Sequence, residues 1–182
     1  MGGKVGAFGE LPVLGFFKGG TEDAMFAEWD GSTWIETTVE SANRVGKAMR
    51  LAVGADGRPR IAYLDQDQSS AHVAERDASG VWSITVPAQS TDPAGLAVDF
   101  NGDVALLVRG TNQSAPLQLY SGSKTGSGLA WTHDPGFPGS GLSYGQIAFD
   151  AAGNLHVVAA DPQGGALVYM TNASGTWTSS CA

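Results

Sequence analysis

Short apolar runs recur along the chain, and each is led by a glycine and a polar residue. The runs read Gly-Glu-Leu-Pro-Val-Leu, Gly-Arg-Pro-Arg-Ile-Ala, Gly-Asp-Val-Ala-Leu-Leu and Gly-Asn-Leu-His-Val-Val from Gly9, Gly57, Gly102 and Gly153. These glycines are 48, 45 and 51 residues apart. Apolar and β-branched runs bounded by turn-forming residues are typical of β-strands. The pattern therefore predicts one β-sheet unit that is repeated four times.

Tryptophan repeats with the same period. Trp34, Trp82, Trp131 and Trp177 are 48, 49 and 46 residues apart and follow their turn glycines by 25, 25, 29 and 24 residues. A large ring at one position of every unit can fill the space between neighbouring sheets and place its N–H at a strand end. We therefore predict that these four tryptophans pack in the core.

A third marker completes the unit. An apolar triplet stands six residues before each of the last three glycines, as in Leu51-Ala52-Val53, whereas the first copy keeps only Val5 in register. Each unit then contains four strands separated by turns, the last of which carries the tryptophan. Asp56-Gly57 and Asn101-Gly102 are predicted to be two-residue hairpin turns, because both residue types tolerate positive φ.

Four-stranded antiparallel units cannot bury both faces alone, and radial stacking of such sheets around an axis is the usual solution. The prediction is an all-β fold, a β-propeller built from four four-stranded antiparallel blades of about 48 residues, approximately 1–44, 45–91, 92–141 and 142–182. These blades would form a single domain or half of a propeller. A β-sandwich is the alternative, but a sandwich does not require the same tryptophan four times.

Composition and charge restrict the partners. The net charge is −8 and the ten Lys and Arg residues are scattered, which argues against nucleic acid and against anionic membrane surfaces. No segment is long and apolar enough for membrane insertion. No Walker loop, dinucleotide fingerprint or serine elbow occurs, so neither a cofactor nor a catalytic set is predicted.

The single cysteine and the opening residues bear on location. Cys181 has no partner for an internal disulfide and cannot form a site of several thiolates, so it is predicted to be a free thiol or to pair with another chain. No charged region followed by an apolar region opens the chain at Met1, so no secretory signal is visible. A secreted or cell-surface location is our hypothesis.

No metal site is predicted. The stretch Asp99-Phe100-Asn101-Gly102-Asp103 is similar to the calcium loop of integrin-type propeller repeats. The matching stretches of the second and fourth units do not preserve that spacing, which favours an ordinary turn. The three histidines, His72, His133 and His156, stand in different units and are predicted to lie on strand faces.

The turns before the tryptophans resemble the Asp box of sialidase-type propellers, Ser-x-Asp-x-Gly-x-Thr-Trp. Asp77 and Asn172 stand five residues before Trp82 and Trp177, as in that box, but the glycine stands two residues before the tryptophan instead of three. Neither an arginine triad nor a Tyr/Glu nucleophile pair can be named from the sequence. The resemblance thus implies a topology and not a catalytic activity.

The first unit resembles bacterial propeller lectins. Residues 19–34 carry an apolar strand that leads to Trp29-Asp30-Gly31 and a closing Trp34, and those lectins repeat a similar stretch. The second unit lacks the first tryptophan, and the third departs further. If the resemblance extends to sugar binding, Trp29 is the stacking platform and Asp30 the hydroxyl acceptor, because an aromatic face and a carboxylate suit the C–H and O–H groups of a pyranose.

Three functional hypotheses follow. The first is a non-enzymatic recognition module that binds carbohydrate through Trp29 and Asp30. The second is a fragment of a propeller glycoside hydrolase, whose acidic residues would include Asp65, Asp99 or Asp161. The third is a structural scaffold without a ligand.

Self-association is also predicted. The fourth unit leaves only residues 177–182 for its last strand, and an incomplete propeller would expose two sheet edges. We expect two chains to associate head to tail as a homodimer that completes an eight-bladed ring. The alternative is a monomeric ring of four blades.

Overall fold

All regular elements that the structure describes are β-strands. The structure is a computed structural model and describes residues 3–8, 11–89, 91–110, 115–125 and 128–181. Gly9 and Glu10 of the first predicted turn lie outside these ranges. The strands are β1 (Gly3–Phe8), β2 (Leu11–Lys18), β3 (Asp23–Trp29), β4 (Trp34–Glu40), β5 (Val45–Val53), β6 (Pro59–Asp65), β7 (Ser70–Arg76), β8 (Trp82–Gln89), β9 (Thr91–Val98), β10 (Val104–Gly110), β11 (Leu117–Thr125), β12 (Gly128–Asp134), β13 (Ser143–Phe149), β14 (Leu155–Asp161), β15 (Ala166–Thr171) and β16 (Thr178–Cys181). No helix within the described ranges is long and apolar enough to cross a membrane.

Each successive group of four strands forms one antiparallel sheet in which the strands lie side by side in chain order. We number these sheets blade 1 (β1–β4), blade 2 (β5–β8), blade 3 (β9–β12) and blade 4 (β13–β16). The first strands of consecutive blades contact one another, β1 with β5, β5 with β9 and β9 with β13. The predicted all-β fold of four four-stranded antiparallel blades is therefore confirmed.

The turns after the first strands are longer than predicted. The loop between β5 and β6 comprises residues 54–58, and its hydrogen bond joins the Gly57 N–H to the Gly54 carbonyl. Gly57 has a φ of 71°, a left-handed conformation that glycine adopts without strain from a side chain. The two-residue hairpin prediction was wrong, because the glycine closes a longer turn. Gly102 does the same in residues 99–103.

The core lies between the blades. One cluster of buried residues joins blades 1 and 2, a second joins blades 2 and 3, and a third joins blades 3 and 4. Burial of both faces explains why β6 and β10 are apolar at successive positions instead of alternating. None of the core clusters formed by the described residues joins blade 4 to blade 1.

Three of the four repeated tryptophans pack against the preceding blade, as predicted. The Trp82 ring lies edge-on to Phe26 of blade 1, with 5.2 Å between ring centroids. Trp131 donates its indole N–H to the Thr85 hydroxyl of blade 2 at 2.9 Å. Trp177 likewise donates to the Asp134 carboxylate of blade 3 at 2.8 Å.

Trp34 departs from this pattern. Blade 1 has no preceding blade in the described chain, and 46% of Trp34 is exposed. The prediction that all four tryptophans pack in the core was therefore wrong for Trp34. Its environment differs because no blade of the described chain covers it in the way that the preceding blades cover the other three rings.

A buried charge network links blades 2 and 3. The Arg60 side chain is fully buried and donates to the Asp56 carboxylate at 2.6 and 2.9 Å and to Glu75 at 3.3 Å. Lys124 of blade 3 adds a contact of 2.7 Å to Asp56. Hydrogen bonds from Arg60 hold the pKa of the Asp56 carboxyl well below its usual range.

Candidate functional site

Two tryptophans lie side by side on the uncovered face of blade 1. Trp29 ends β3 and Trp34 begins β4, and the two residues are direct cross-strand partners. Their ring centroids are 5.6 Å apart and the ring planes are inclined by 59°. Trp29 is half-buried, whereas Trp34 is exposed. The pair presents an aromatic surface at the end of the sheet.

The turn that joins these tryptophans is organised by Asp30. Its Oδ1 accepts hydrogen bonds from the Thr33 N–H at 2.7 Å, the Ser32 N–H at 2.8 Å and the Ser32 hydroxyl at 2.8 Å. The Thr33 N–H, followed by the Ser32 N–H, lowers the pKa of Asp30 to about 2. Asp30 is thus ionised at neutral pH, and a carboxylate in this role stabilises the turn.

Asp30 keeps one oxygen for other contacts. Among the described residues, Oδ2 accepts a hydrogen bond only from the Thr33 hydroxyl, at 3.3 Å. In blade 2, Asp77 organises the matching turn in the same way, accepting from the Ser79 N–H and hydroxyl and from the Val81 N–H. The repeated carboxylate therefore has a structural role in both blades, and any ligand contact of Asp30 would involve Oδ2.

An open groove of about 250 Å³ adjoins the aromatic pair. Leu14 and Phe16 of β2 form its apolar floor, and Trp34 and Glu36 of β4 border it. Lys18 approaches the Glu36 carboxylate at 3.3 Å. Sequence reasoning did not identify Trp34 and Glu36 as site residues, because Trp34 belongs to the repeated tryptophans. The signal that could have distinguished Trp34 from the other three is its position in the first unit, which follows no other blade within the described residues.

The acidic residues considered for hydrolysis accept hydrogen bonds from backbone N–H groups of their own loops. Asp65 is fully buried and accepts hydrogen bonds from the N–H groups of Asp67 and Gln68. Asp99 accepts from the Asp103 N–H, and the Asp161 carboxylate accepts from the N–H groups of the two residues at 163 and 164. The three carboxylates belong to blades 2, 3 and 4, and each caps a turn.

The histidines lie on strands, as predicted. His72 on β7 contacts the Glu40 carboxylate of blade 1 at 2.9 Å through Nδ1. His156 on β14 contacts the Tyr169 hydroxyl at 2.6 Å. Across the residues that the structure covers, no group of three or more His, Cys, Asp or Glu side chains is arranged to hold a metal ion.

Comparison with known proteins identifies related folds. No protein-family model and no curated protein sequence matches the chain. The fucose-recognising lectin of Aleuria aurantia, described as a six-bladed β-propeller, is similar with a TM-score of 0.58 and 17% identity, over 99% of this chain and 60% of the lectin. A Hadza microbial sialidase is similar with a TM-score of 0.60 and 14% identity, over 93% of this chain and 43% of the sialidase.

These matches define the class of the protein. The chain is a β-propeller protein made of four blades, similar in fold to a propeller lectin and to sialidase propellers, as the sequence predicted. It spans 60% or less of the length of these two relatives. At these identities the likeness shows the fold alone.

Proposed function

We propose that the chain is a carbohydrate-recognition module that binds a neutral sugar ring on the uncovered face of blade 1. The observation that carries this proposal is the pair of solvent-accessible tryptophans, Trp29 and Trp34, beside two carboxylates, Asp30 and Glu36. Aromatic faces attract the C–H face of a pyranose, and ionised carboxylates accept hydrogen bonds from its hydroxyl groups.

Fucosylated glycans are the first ligands to test. The Aleuria aurantia neighbour is described as a fucose-specific lectin, and a deoxy sugar with a methyl group offers an apolar edge to an aromatic platform. The apolar floor of Leu14 and Phe16 beside Trp34 supports a ligand of this kind. The proposal assigns stacking to Trp29 and hydroxyl recognition to Oδ2 of Asp30.

We predict that Trp29→Ala weakens glycan binding by about tenfold or more. Loss of one aromatic contact removes about 1.4 kcal/mol of binding free energy or more, which corresponds to that factor. Binding would be measured on a glycan array and then by calorimetry with the best ligand. Phe100→Ala is the matched control, because Phe100 is 85% exposed in a turn of blade 3. Equal binding by wild type and Trp29→Ala would contradict the role of Trp29 as the stacking platform. Failure of the wild type to bind any glycan would overturn the proposed function.

We further propose that, in the absence of sugar, two chains associate head to tail through the uncovered faces of blades 1 and 4. This contact would cover Trp34, so association and sugar binding compete for the same face of blade 1. Within the chain, each packed tryptophan lies on the blade before it, and Trp131 and Trp177 bond to the residue three positions after the preceding tryptophan. Trp34 has no such partner among the described residues of its own chain. The equivalent residue at the free end of blade 4 is Ser180, on the exposed strand β16.

The two faces are suited to this contact. Blade 4 exposes its last strand, β16, and blade 1 exposes Trp34 beside the apolar groove. Repetition of the internal blade contact would place the Trp34 N–H of one copy near Ser180 of the other. An eight-bladed ring closes when successive blades are rotated by about 45° around the axis, whereas a six-bladed ring needs a rotation of about 60°.

We predict that the sugar-free chain is a dimer with a mass near twice 18.7 kDa and that Trp34→Arg converts it to a monomer. A charged side chain would be buried without a partner at the contact, which is strongly unfavourable. Light scattering at micromolar concentration measures both masses. Ile35→Arg is the control, since Ile35 is exposed on the same strand but pairs across from Glu28, on the opposite face of the sheet. A wild-type mass near 18.7 kDa that does not change on dilution would contradict the association.

A further inference from the structure

A cavity of about 450 Å³ lies where the first strands of blades 2, 3 and 4 meet. Arg50 of β5, Asp92 of β9 and Arg109 of β10 line it with charge. Val158 and Leu167 of blade 4 provide an apolar wall. The cavity is separate from the Trp29 platform, which lies on the uncovered face of blade 1. It combines fixed cations with apolar surface in a volume suited to a small molecule.

All three first strands are irregular at this cavity. In the pairing of β5 with β6, Ala48 and Met49 lie outside the register. The same holds for Ala94 in the pairing of β9 with β10 and for Tyr144 in the pairing of β13 with β14. Ala48 and Tyr144 adopt left-handed φ values of 51° and 50°, which carry strain for residues other than glycine. Bulges re-aim side chains and leave backbone groups without ladder partners. Three of them converge on one cavity.

Arg50 donates hydrogen bonds to backbone carbonyl groups at two of these bulges. Its Nε donates to the Ala94 carbonyl at 2.7 Å, and its Nη1 donates to the carbonyls of Met49 at 2.9 Å and Ala48 at 3.3 Å. The guanidinium is therefore held in one orientation by backbone from two blades. A pre-positioned guanidinium loses little conformational entropy when it binds a ligand.

The charge of Arg50 is not neutralised. No carboxylate among the residues described lies within ion-pair distance of Arg50, and burial alone lowers the pKa of its guanidinium. Its Nη2 makes no hydrogen bond within the described ranges and is not completely buried. This arrangement leaves an N–H donor group and a full positive charge at the cavity.

The second cation of the cavity is already compensated. Arg109 pairs with Asp92 at 3.4 Å, and its guanidinium lies 4.9 Å from the centre of the Tyr144 ring. Arg50, Arg109 and Asp92 together give the cavity one net positive charge in a chain whose net charge is −8. A local excess of the opposite sign favours an anionic ligand over a neutral one.

We propose that this cavity binds a small organic carboxylate. Arginine donates to a carboxylate through charge-assisted hydrogen bonds, and the free Nη2 of Arg50 supplies such a contact. The apolar wall of Val158 and Leu167 accommodates the remainder of the ligand, which distinguishes an organic acid from a simple inorganic anion. The site is independent of the proposed carbohydrate platform, because the two share no residue.

The proposal is tested with benzoate, benzamide and sulfate as probes of the full chain. Benzoate carries a carboxylate on an apolar ring, benzamide has the same shape without the charge, and sulfate has the charge without the ring. We expect chemical-shift changes of backbone amides around Ala94 and Gly145 with benzoate, and at least tenfold weaker effects with the other two. Equal effects of benzamide, displacement of benzoate by equimolar sulfate, or no effect of benzoate at millimolar concentration would each overturn the proposal.

Substitutions assign the contact to Arg50. Arg50→Met is expected to weaken benzoate binding by at least tenfold, whereas Arg58→Met, on a loop of blade 2 outside the cavity, is expected to leave it unchanged. Because Arg50 also satisfies bulge carbonyls, Arg50→Lys provides a second variant that retains the charge and is expected to keep part of the affinity. If Arg50→Met folds and binds benzoate as the wild type does, the assignment is contradicted. If Arg50→Met does not fold, the double variant Arg50→Lys/Arg109→Met is measured instead, and unchanged binding by that variant would contradict the assignment. Glycan binding is expected to be unaffected in all of these variants, so failure of this site and failure of the carbohydrate proposal are distinguishable.

Discussion

Arg60→Ala is expected to lower the free energy of unfolding by about 3–5 kcal/mol. The Arg60 guanidinium is completely buried and joins the carboxylates of Asp56 and Glu75. Removal of one member of a buried ion pair leaves its partners with desolvated charge that is only partly compensated. Glu75 would keep only Lys124, at 3.9 Å. Urea unfolding of wild type and variant measures the difference.

Arg44→Ala is the matched control for this prediction. Arg44 also pairs with an aspartate, Asp67, at 2.7 Å, but its side chain is 51% exposed. Exposed ion pairs contribute about 0–1 kcal/mol, because water and salt screen them. Similar losses for Arg60→Ala and Arg44→Ala would show that the Arg60 network does not support the contact between blades 2 and 3.

Phe26→Ala is expected to cost about 3–5 kcal/mol of stability, because it removes a ring from the centre of the contact between blades 1 and 2. Phe26 is fully buried and lies against Trp82 in that core. The Arg76 guanidinium lies 5.4 Å from the centre of the Phe26 ring, so the substitution also removes a cation–π contact. Thermal and urea unfolding measure the loss, and the emission of Trp82 is expected to shift as its environment opens.

Phe100→Ala serves as the control, since it removes the same atoms from an exposed position. Its expected effect is within about 0.5 kcal/mol. A Phe26→Ala variant as stable as Phe100→Ala would contradict the conclusion that the blades are held together by the apolar clusters between them.

The repeat made the architecture predictable from sequence. Gly57, Gly102 and the tryptophans mark equivalent positions, and equivalent positions in a repeat protein adopt equivalent structures. The period of the repeat does not distinguish a turn of two residues from a turn of five. For this reason the predicted lengths of the Asp-Gly and Asn-Gly turns were wrong. The hydrogen bond from Gly57 to Gly54 depends on backbone conformation that a residue pattern does not encode.

The candidate sites were less predictable, because both depend on relations between blades. Trp34 stands at the same position of the repeat as Trp82, and it is exposed because no blade of the described chain covers it. No sequence motif marks Arg50 as a site residue. Its role follows from three bulges that meet on blades 2, 3 and 4, and a bulge in one strand is set by pairing with its partner, not by local propensity.

The most direct test of carbohydrate recognition uses the indole N–H signals of the five tryptophans in a nitrogen-15 NMR spectrum. Single Trp→Phe variants assign the signals, and methyl α-fucoside is then titrated into the wild type. We expect the signals of Trp29 and Trp34 to shift and saturate, while those of Trp82, Trp131 and Trp177 stay in place, because these three rings lie between blades. Unchanged Trp29 and Trp34 signals throughout titrations with the fucoside and with the best ligand of the glycan array would contradict the account.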